Sequence, residues 1–322
     1  MTEDPQVDRY GFAAPNLVSL GNLSRDNARL EKWEDMLLRW EYNITRRADF
    51  LKKRIRKGVP DCLRGRVWSE LAEIEKFRTQ YAKDYYKNLS ETECESIAVR
   101  DILLDINRTF PGHVLFKSNG DGQKSLFRVL KAFSLHDPEL GYCQGMGFVT
   151  ALFLMYMNEE DAFWLLEALM KKYNMRDFYM VGMPGIYKAF YKINSLFKNY
   201  LPTLWRHFIG LNIYPSLFAS SWLMTLYVNA FPMDVALRIL DIFFNEGPKI
   251  IFRVYLSVFK NTKDELLRLD CDGILDRIRT IPDSLIPDSV IKNTFKISLS
   301  RKKLKFLEEE YENSPNSEFM NW

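Results

Sequence analysis

The sequence predicts an all-α protein. Three observations carry that expectation: apolar residues recur at spacings of three and four from about Glu31 to about Asp270, few stretches alternate as a strand would, and proline and glycine signals cut this body into helices of ordinary length. With 322 residues, 47% of them hydrophobic and 14% aromatic, the chain is able to bury a large core.

Taken in order, residues 1–30 carry Pro5, Gly11, Pro15 and Gly21 and read as an extended N-terminal arm, with one docked piece expected at Tyr10-Gly11-Phe12. Residues 31–54 form a leading helical segment in which Trp33, Leu37 and Trp40 sit at helical spacing. The run Lys52-Lys53-Arg54-Ile55-Arg56-Lys57 reads as a solvated helix end, closed by Gly58-Val59-Pro60. The main helical body follows Pro60, runs to about Asp270 and opens with Leu63-Arg64-Gly65-Arg66-Val67-Trp68, where Trp68 is expected in the core and the arginines in surface pairs. Its turn signals are Phe110-Pro111-Gly112, Asn119-Gly120-Asp121-Gly122, Asp137-Pro138, Met183-Pro184-Gly185, Phe231-Pro232 and Gly247-Pro248. Residues 266–310 add a short helix at Cys271-Asp272-Gly273, proline turns at Pro282 and Pro287, and a charged, solvated helix from Lys302 to Glu310; residues 311–322 read as a flexible tail. No internal repeat stands out in the body.

Several function classes are excluded. Lys plus Arg number 45 against 42 for Asp plus Glu, so a formal charge of +3 provides no general attraction for nucleic acid or an anionic surface. Cys62, Cys94, Cys143 and Cys271 lack C-x-x-C spacing, which argues against zinc ribbons and redox dithiols and fits reduced thiols in the cytosol. The acidic start Met1-Thr2-Glu3-Asp4-Pro5 does not read as a secretory signal. Residues 141–157 carry no charge, but Gln144 and three glycines crowd the first half, so a buried core helix is expected there and no transmembrane segment. His113, His136 and His207 form no recognisable Cys/His constellation, and no Gly-Lys-Ser/Thr phosphate loop occurs.

Two polar residues stand out. Over residues 97–110, Val99, Ile102, Leu103 and Ile106 form an i, i+3, i+4, i+7 stripe that is expected to face the core, with Pro111 ending the helix. Arg108 then falls opposite the stripe in the last helical turn, with Asp105 within i, i+3 reach. In Gly141-Tyr142-Cys143-Gln144-Gly145-Met146-Gly147, the glycines permit backbone geometries that hold a glutamine in a tight turn before a buried helix, and Cys143 reads as a small buried hydrophobe.

Ile102-x-x-Asp105-x-x-Arg108-Thr109-Phe110-Pro111 followed by Gly141-Tyr142-Cys143-Gln144-Gly145-Met146 resembles the two signature motifs of the TBC domain family of Rab GTPase-activating proteins. Two further blocks are similar to the family's pattern: Gly58-Val59-Pro60 with Leu63-Arg64 and Trp68 upstream, and Trp222-Leu223-Met224-Thr225-Leu226, Pro232, Arg238-x-x-Asp241 and Glu246-Gly247 downstream. Departures are small and core-like: Leu240 stands where Trp is common and Phe133 where Tyr is frequent.

The resemblance covers roughly residues 55–265 and implies a single elongated TBC-type helical domain with N- and C-terminal helical halves. It implies Arg108 as an arginine finger and Gln144 as a glutamine finger supplied in trans to a GTP-loaded Rab-type GTPase, with Asp105 and Tyr142 in support and Arg64 and Arg66 as possible partner contacts. The chain would need no metal or cofactor of its own, because GTP and Mg²⁺ belong to the partner. It would act in the cytoplasm, transiently at endomembranes through the lipidated partner. The alternative is a Rab-binding scaffold that does not stimulate hydrolysis.

Overall fold

Helices form where the apolar spacing requires them. The computed structural model describes residues 7–13, 23–117 and 120–313, and among these the secondary structure is helical apart from isolated antiparallel bridges between Val7 and Ala13 and between Phe12 and His113. The all-α expectation holds. The backbone groups into two compact units, Met1–Asn174 and Met175–Trp322, the N- and C-terminal halves.

The first unit opens with α1 (Leu23–Leu38), α2 (Trp40–Arg46) and α3 (Ala48–Arg56), which bury Trp33, Leu37 and Trp40. Helix α1 begins eight residues before the expected Glu31, because Ser24, Arg25, Asp26 and Asn27 carry no apolar stripe that would mark it. The breaks at Arg39 and Arg47 lack the glycine or proline that announces a break in sequence. Next come α4 (Arg64–Ala72), α5 (Ile74–Arg78), α6 (Tyr85–Glu91), α7 (Ile97–Ile106), α8 (Asp121–His136), α9 (Met146–Leu154) and α10 (Glu159–Lys171). Helix α8 is the hub of this unit and packs on α6, α7, α9 and α10. Trp68 is fully buried, as expected.

Helix α9 is apolar on every side because it is covered on every side, with Val149, Ala151, Leu152 and Phe153 all inaccessible. Its nine residues rise only about 14 Å, half of a bilayer's hydrocarbon core of about 30 Å. Among the described residues no helix is long and apolar enough to cross a membrane. Helix starts are marked by polar caps: Ser96 Oγ accepts from the Val99 N–H at 3.2 Å at α7, and Asn158 Oδ1 accepts from the Asp161 N–H at 2.9 Å at α10.

The second unit contains α11 (Pro184–Tyr200), α12 (Pro202–Gly210), α13 (Ala219–Met224), α14 (Met233–Glu246), α15 (Lys249–Leu266), α16 (Cys271–Thr280), α17 (Pro287–Thr294) and α18 (Arg301–Asn313). Its core stacks Trp222, Tyr255 and Phe259, and the buried Tyr255 hydroxyl donates to the Ala219 carbonyl at 2.8 Å. Pro287, expected in a turn, instead opens α17, since a proline's missing N–H costs nothing in a first helical turn. Arg238 pairs with Asp288 at 3.0 Å. Helix α18 is docked rather than merely solvated: Leu307 is buried, and Glu308 accepts from Lys188 at 3.0 Å and Lys192 at 2.8 Å.

The turn signals at 110–112, 137–138, 183–185, 231–232 and 247–248 all fall between helices or at their edges, and α8 begins at Asp121. Asn119, arm residues 1–6 and 14–22, and tail residues 314–322 lie outside the described residues; residues 311–313 continue α18.

Candidate functional site

Helix α7 ends at Ile106, so Arg108 lies in the turn beyond it and not in the last helical turn as expected. The stripe is also rotated from its expected position. Ile102, Asp105 and Ile106 face inward, whereas Leu103 is 51% and Leu104 73% exposed. Asp105 therefore occupies a core-facing position, and what makes this tolerable is that the carboxylate is fully engaged. One oxygen pairs with the Arg108 guanidinium, and the other accepts a 2.6 Å hydrogen bond from the Tyr142 hydroxyl. The Arg108 side chain remains 51% exposed while its anchor is 8% exposed, so the cation is held from behind and presented outward.

The second loop is built by its glycines. Gly141 and Gly145 take φ of +63° and +106°, conformations that side chains resist, and Gly145 is the residue immediately before α9. Gly147 lies where a Cβ would come within 3.2 Å of both the Thr109 Oγ1 and the Tyr142 hydroxyl, so its bareness lets the two loops close on each other. Gln144 sits in the turn between Gly141 and α9, exposed, and its carboxamide has no hydrogen-bond partner among the described residues. A glutamine that is aimed by its backbone and left unpaired keeps a donor and an acceptor for something outside the chain.

Tyr142 is thus the link between the loops. Burial, and then its bond to Asp105, pushes its phenol far above the ordinary tyrosine value, so it is a permanent donor. Thr109 adds a second brace, with Oγ1 donating to the Asp105 carbonyl at 2.8 Å. A third joins through Phe110, a non-glycine residue at φ +49°, whose ring lies edge-on to Phe148 of α9 at 5.4 Å. Left-handed backbone at a bulky residue is a local strain that persists only where neighbours over-determine it. Sequence reading did not single out Thr109, Phe110 or Phe148; the only signal was their place in and beside the two motifs.

The remaining candidates stand differently. Arg64 is 5% exposed, ion-paired with Asp61 and stacked 5.6 Å from the Tyr156 ring, so it is a structural residue and does not face a partner; Arg66 is exposed. Burial raises the Cys143 thiol, with the Asp105 charge adding to the effect, which is the reverse of what a thiolate nucleophile requires. Cys143 is only partly buried, less than expected. The three histidines are engaged in the fold: His113 Nε2 with the Tyr10 carbonyl, His136 with Tyr85 and Glu167, and His207 Nε2 with the Leu269 carbonyl.

Comparison with known proteins gives the family. Residues 61–267 match the family described as the Rab-GTPase-TBC domain. The chain is 35% identical over 307 residues to the human Ecotropic viral integration site 5 protein homolog, covering 92% of this chain and 37% of that protein. It is 34% identical over 308 residues to the Rab GTPase-activating protein tbc-11 of Caenorhabditis elegans, covering 92% and 32% respectively. The chain therefore spans only about a third of those relatives' length. Among solved structures, the Chlamydomonas flagellar RabGAP TBC domain superposes with a TM-score of 0.72 at 32% identity, covering 89% of this chain and 99% of that one.

Proposed function

Because the chain belongs to the Rab-GTPase-TBC domain family, we propose that it accelerates GTP hydrolysis on a Rab-type small GTPase by inserting Arg108 and Gln144 into that partner's active site. The observation that carries this reading is the Arg108–Asp105–Tyr142 chain of contacts, in which one buried carboxylate holds an exposed cation and also bonds the loop that carries the exposed Gln144. Hydrolysis requires attack of water on the γ-phosphoryl group through a loose transition state, so catalysis is positioning and charge stabilisation. The Arg108 guanidinium neutralises charge developing on the phosphate oxygens, and the Gln144 amide, both donor and acceptor, orients the water. Nucleotide and Mg²⁺ are the partner's, and the lipidated partner brings the chain to the cytoplasmic face of an endomembrane. The exposed Leu103 and Leu104, one turn before Arg108, supply an apolar surface beside the finger that a protein partner would cover.

The test is single-turnover hydrolysis against a panel of GTP-loaded Rab proteins. At least one should be accelerated, and Arg108→Ala should remove about 10³- to 10⁵-fold of rate, roughly 4 to 7 kcal/mol of barrier. Gln144→Ala should remove most of the acceleration as well. Nucleotide-selective binding with hydrolysis unaffected by Arg108→Ala would instead establish a scaffold, and silence across the panel would sink the catalytic reading.

A further inference from the structure

Residues 7–13 are far from the signature motifs in sequence, yet they are folded into a small closed turn on the loop that follows Arg108. The turn is self-contained: Asp8 Oδ1 accepts from the Tyr10 and Phe12 N–H groups at 2.8 and 2.9 Å, and the Asp8 N–H donates to the Phe12 carbonyl at 2.8 Å. Its outer face is stitched to residues 112–114. The Val114 N–H donates to the Gly11 carbonyl at 2.9 Å, the Ala13 N–H to the Gly112 carbonyl at 3.2 Å, and His113 Nε2 lies 2.7 Å from the Tyr10 carbonyl. His113 Nδ1 accepts from the Leu115 N–H, which leaves the proton on Nε2 and makes that contact a donated hydrogen bond. Arg9 forms an ion pair with Asp61, a second point of attachment.

Gly11 is required at this contact. Its φ is +89°, and a Cβ there would come within 2.5 Å of His113 Nε2. Phe12 does the mechanical part: its ring meets the Phe110 ring edge-on at 5.7 Å and the His113 ring at 4.9 Å. Phe110 is the left-handed residue two positions after Arg108, held by Phe116 at 6.4 Å and Phe148 at 5.4 Å on its other sides. Among the described residues, the N-terminal turn thus supplies one of three phenylalanine rings packed around the strained residue that sets the exit of the arginine loop.

We infer that residues 7–13 are a positioning strap, with Phe12 holding Phe110 and thereby fixing the backbone from which Arg108 reaches the partner's phosphate. This rests on the reading of Arg108 as an arginine finger. A strap of this kind contributes nothing to partner binding by itself. It narrows the conformations of the arginine loop, and its removal costs rate because Arg108 no longer meets the transition state in register.

Two variants of the full chain test it: Phe12→Ala, which withdraws the ring, and Gly11→Val, which drives a side chain into His113. Hydrogen–deuterium exchange in the free protein should rise about tenfold or more across residues 108–114 in both, with α10 unchanged and both variants retaining a cooperative melt. With a Rab that the unaltered chain activates, kcat should fall about tenfold and KM stay within about twofold. Affinity for the same Rab loaded with GDP–aluminium fluoride should drop by a similar factor, while affinity for its non-hydrolysable GTP-analogue form stays constant; Phe12→Tyr, which keeps the ring, should restore kcat. Unchanged exchange at 108–114 overturns the strap, as does faster exchange with unchanged kcat or an equal loss of affinity for both nucleotide states. The exchange arm needs no partner, so a chain that activates no Rab would refute the catalytic reading while the strap's hold on the loop was still decided.

Discussion

Asp105 does two jobs with one carboxylate, steadying the guanidinium of Arg108 with one oxygen and receiving the Tyr142 hydroxyl on the other. Removing the second contact while keeping the ring isolates its contribution. Tyr142→Phe keeps the ring and deletes a hydrogen bond to a charged group, the stronger kind. Single-turnover hydrolysis should show kcat lower by about tenfold with KM little changed, far less than the loss from Arg108→Ala. A variant as active as the parent would mean that the tyrosine bond is not what aims the arginine. At this scale part of the candidate site was legible: Arg108, Gln144, Asp105 and Tyr142 were named from the motifs, and the structure joins Asp105 to Arg108 and Tyr142. Burial was not legible. Nothing local distinguishes a core-facing aspartate from a surface one, because what licenses it is a tyrosine hydroxyl 37 positions away.

At the scale of elements, α7 is the instructive case. Its sequence has apolar residues nearly all round, Ile97, Val99, Ile102, Leu103, Leu104 and Ile106, so periodicity admits more than one buried face. Packing on α8 and α9 chose the face containing Ile102 and Ile106 and turned Leu103 and Leu104 to the surface. Helix α10, by contrast, is specified at its start by Asn158 followed by Glu159, Glu160 and Asp161, a cap plus acidic side chains at the positive end of the helix dipole. Asn158→Ala should cost about 1 kcal/mol and lower the melting temperature by about 2 to 4 °C, read by calorimetry. No shift in melting would remove the cap from the account.

The N-terminal strap carries a pH dependence of definite sign. Burial lowers the pKa of His113, outweighing the Tyr10 carbonyl and the nearby Asp8 charge, which act to raise it. The docked turn therefore selects the neutral ring. Docking should be complete above the ordinary histidine value of about 6.5 and weaken as pH falls from there towards the lowered folded value. Hydrogen exchange at residues 108–114, corrected for intrinsic rates and compared at pH 7.5 and 5.5, should show loosening in acid that His113→Gln no longer displays. Equal protection at both pH values would show that the ring's charge state has no hold on the strap.

Across the whole molecule, the sequence by itself determined the helical class, nearly every turn that carries proline or glycine, the buried character of α9, and the family to which the chain belongs. These are properties of short stretches: spacing decides which face is apolar, glycine and proline decide where the chain bends, and a signature motif is read along the chain. Only the tertiary structure decided which face of α7 is buried, that Arg64 is paired inside the fold, that α18 is docked, and that Phe12 reaches Phe110. Each of these depends on contacts between residues distant in sequence. Their partners are selected by shape and by the need to satisfy buried charge, and no local pattern records that choice.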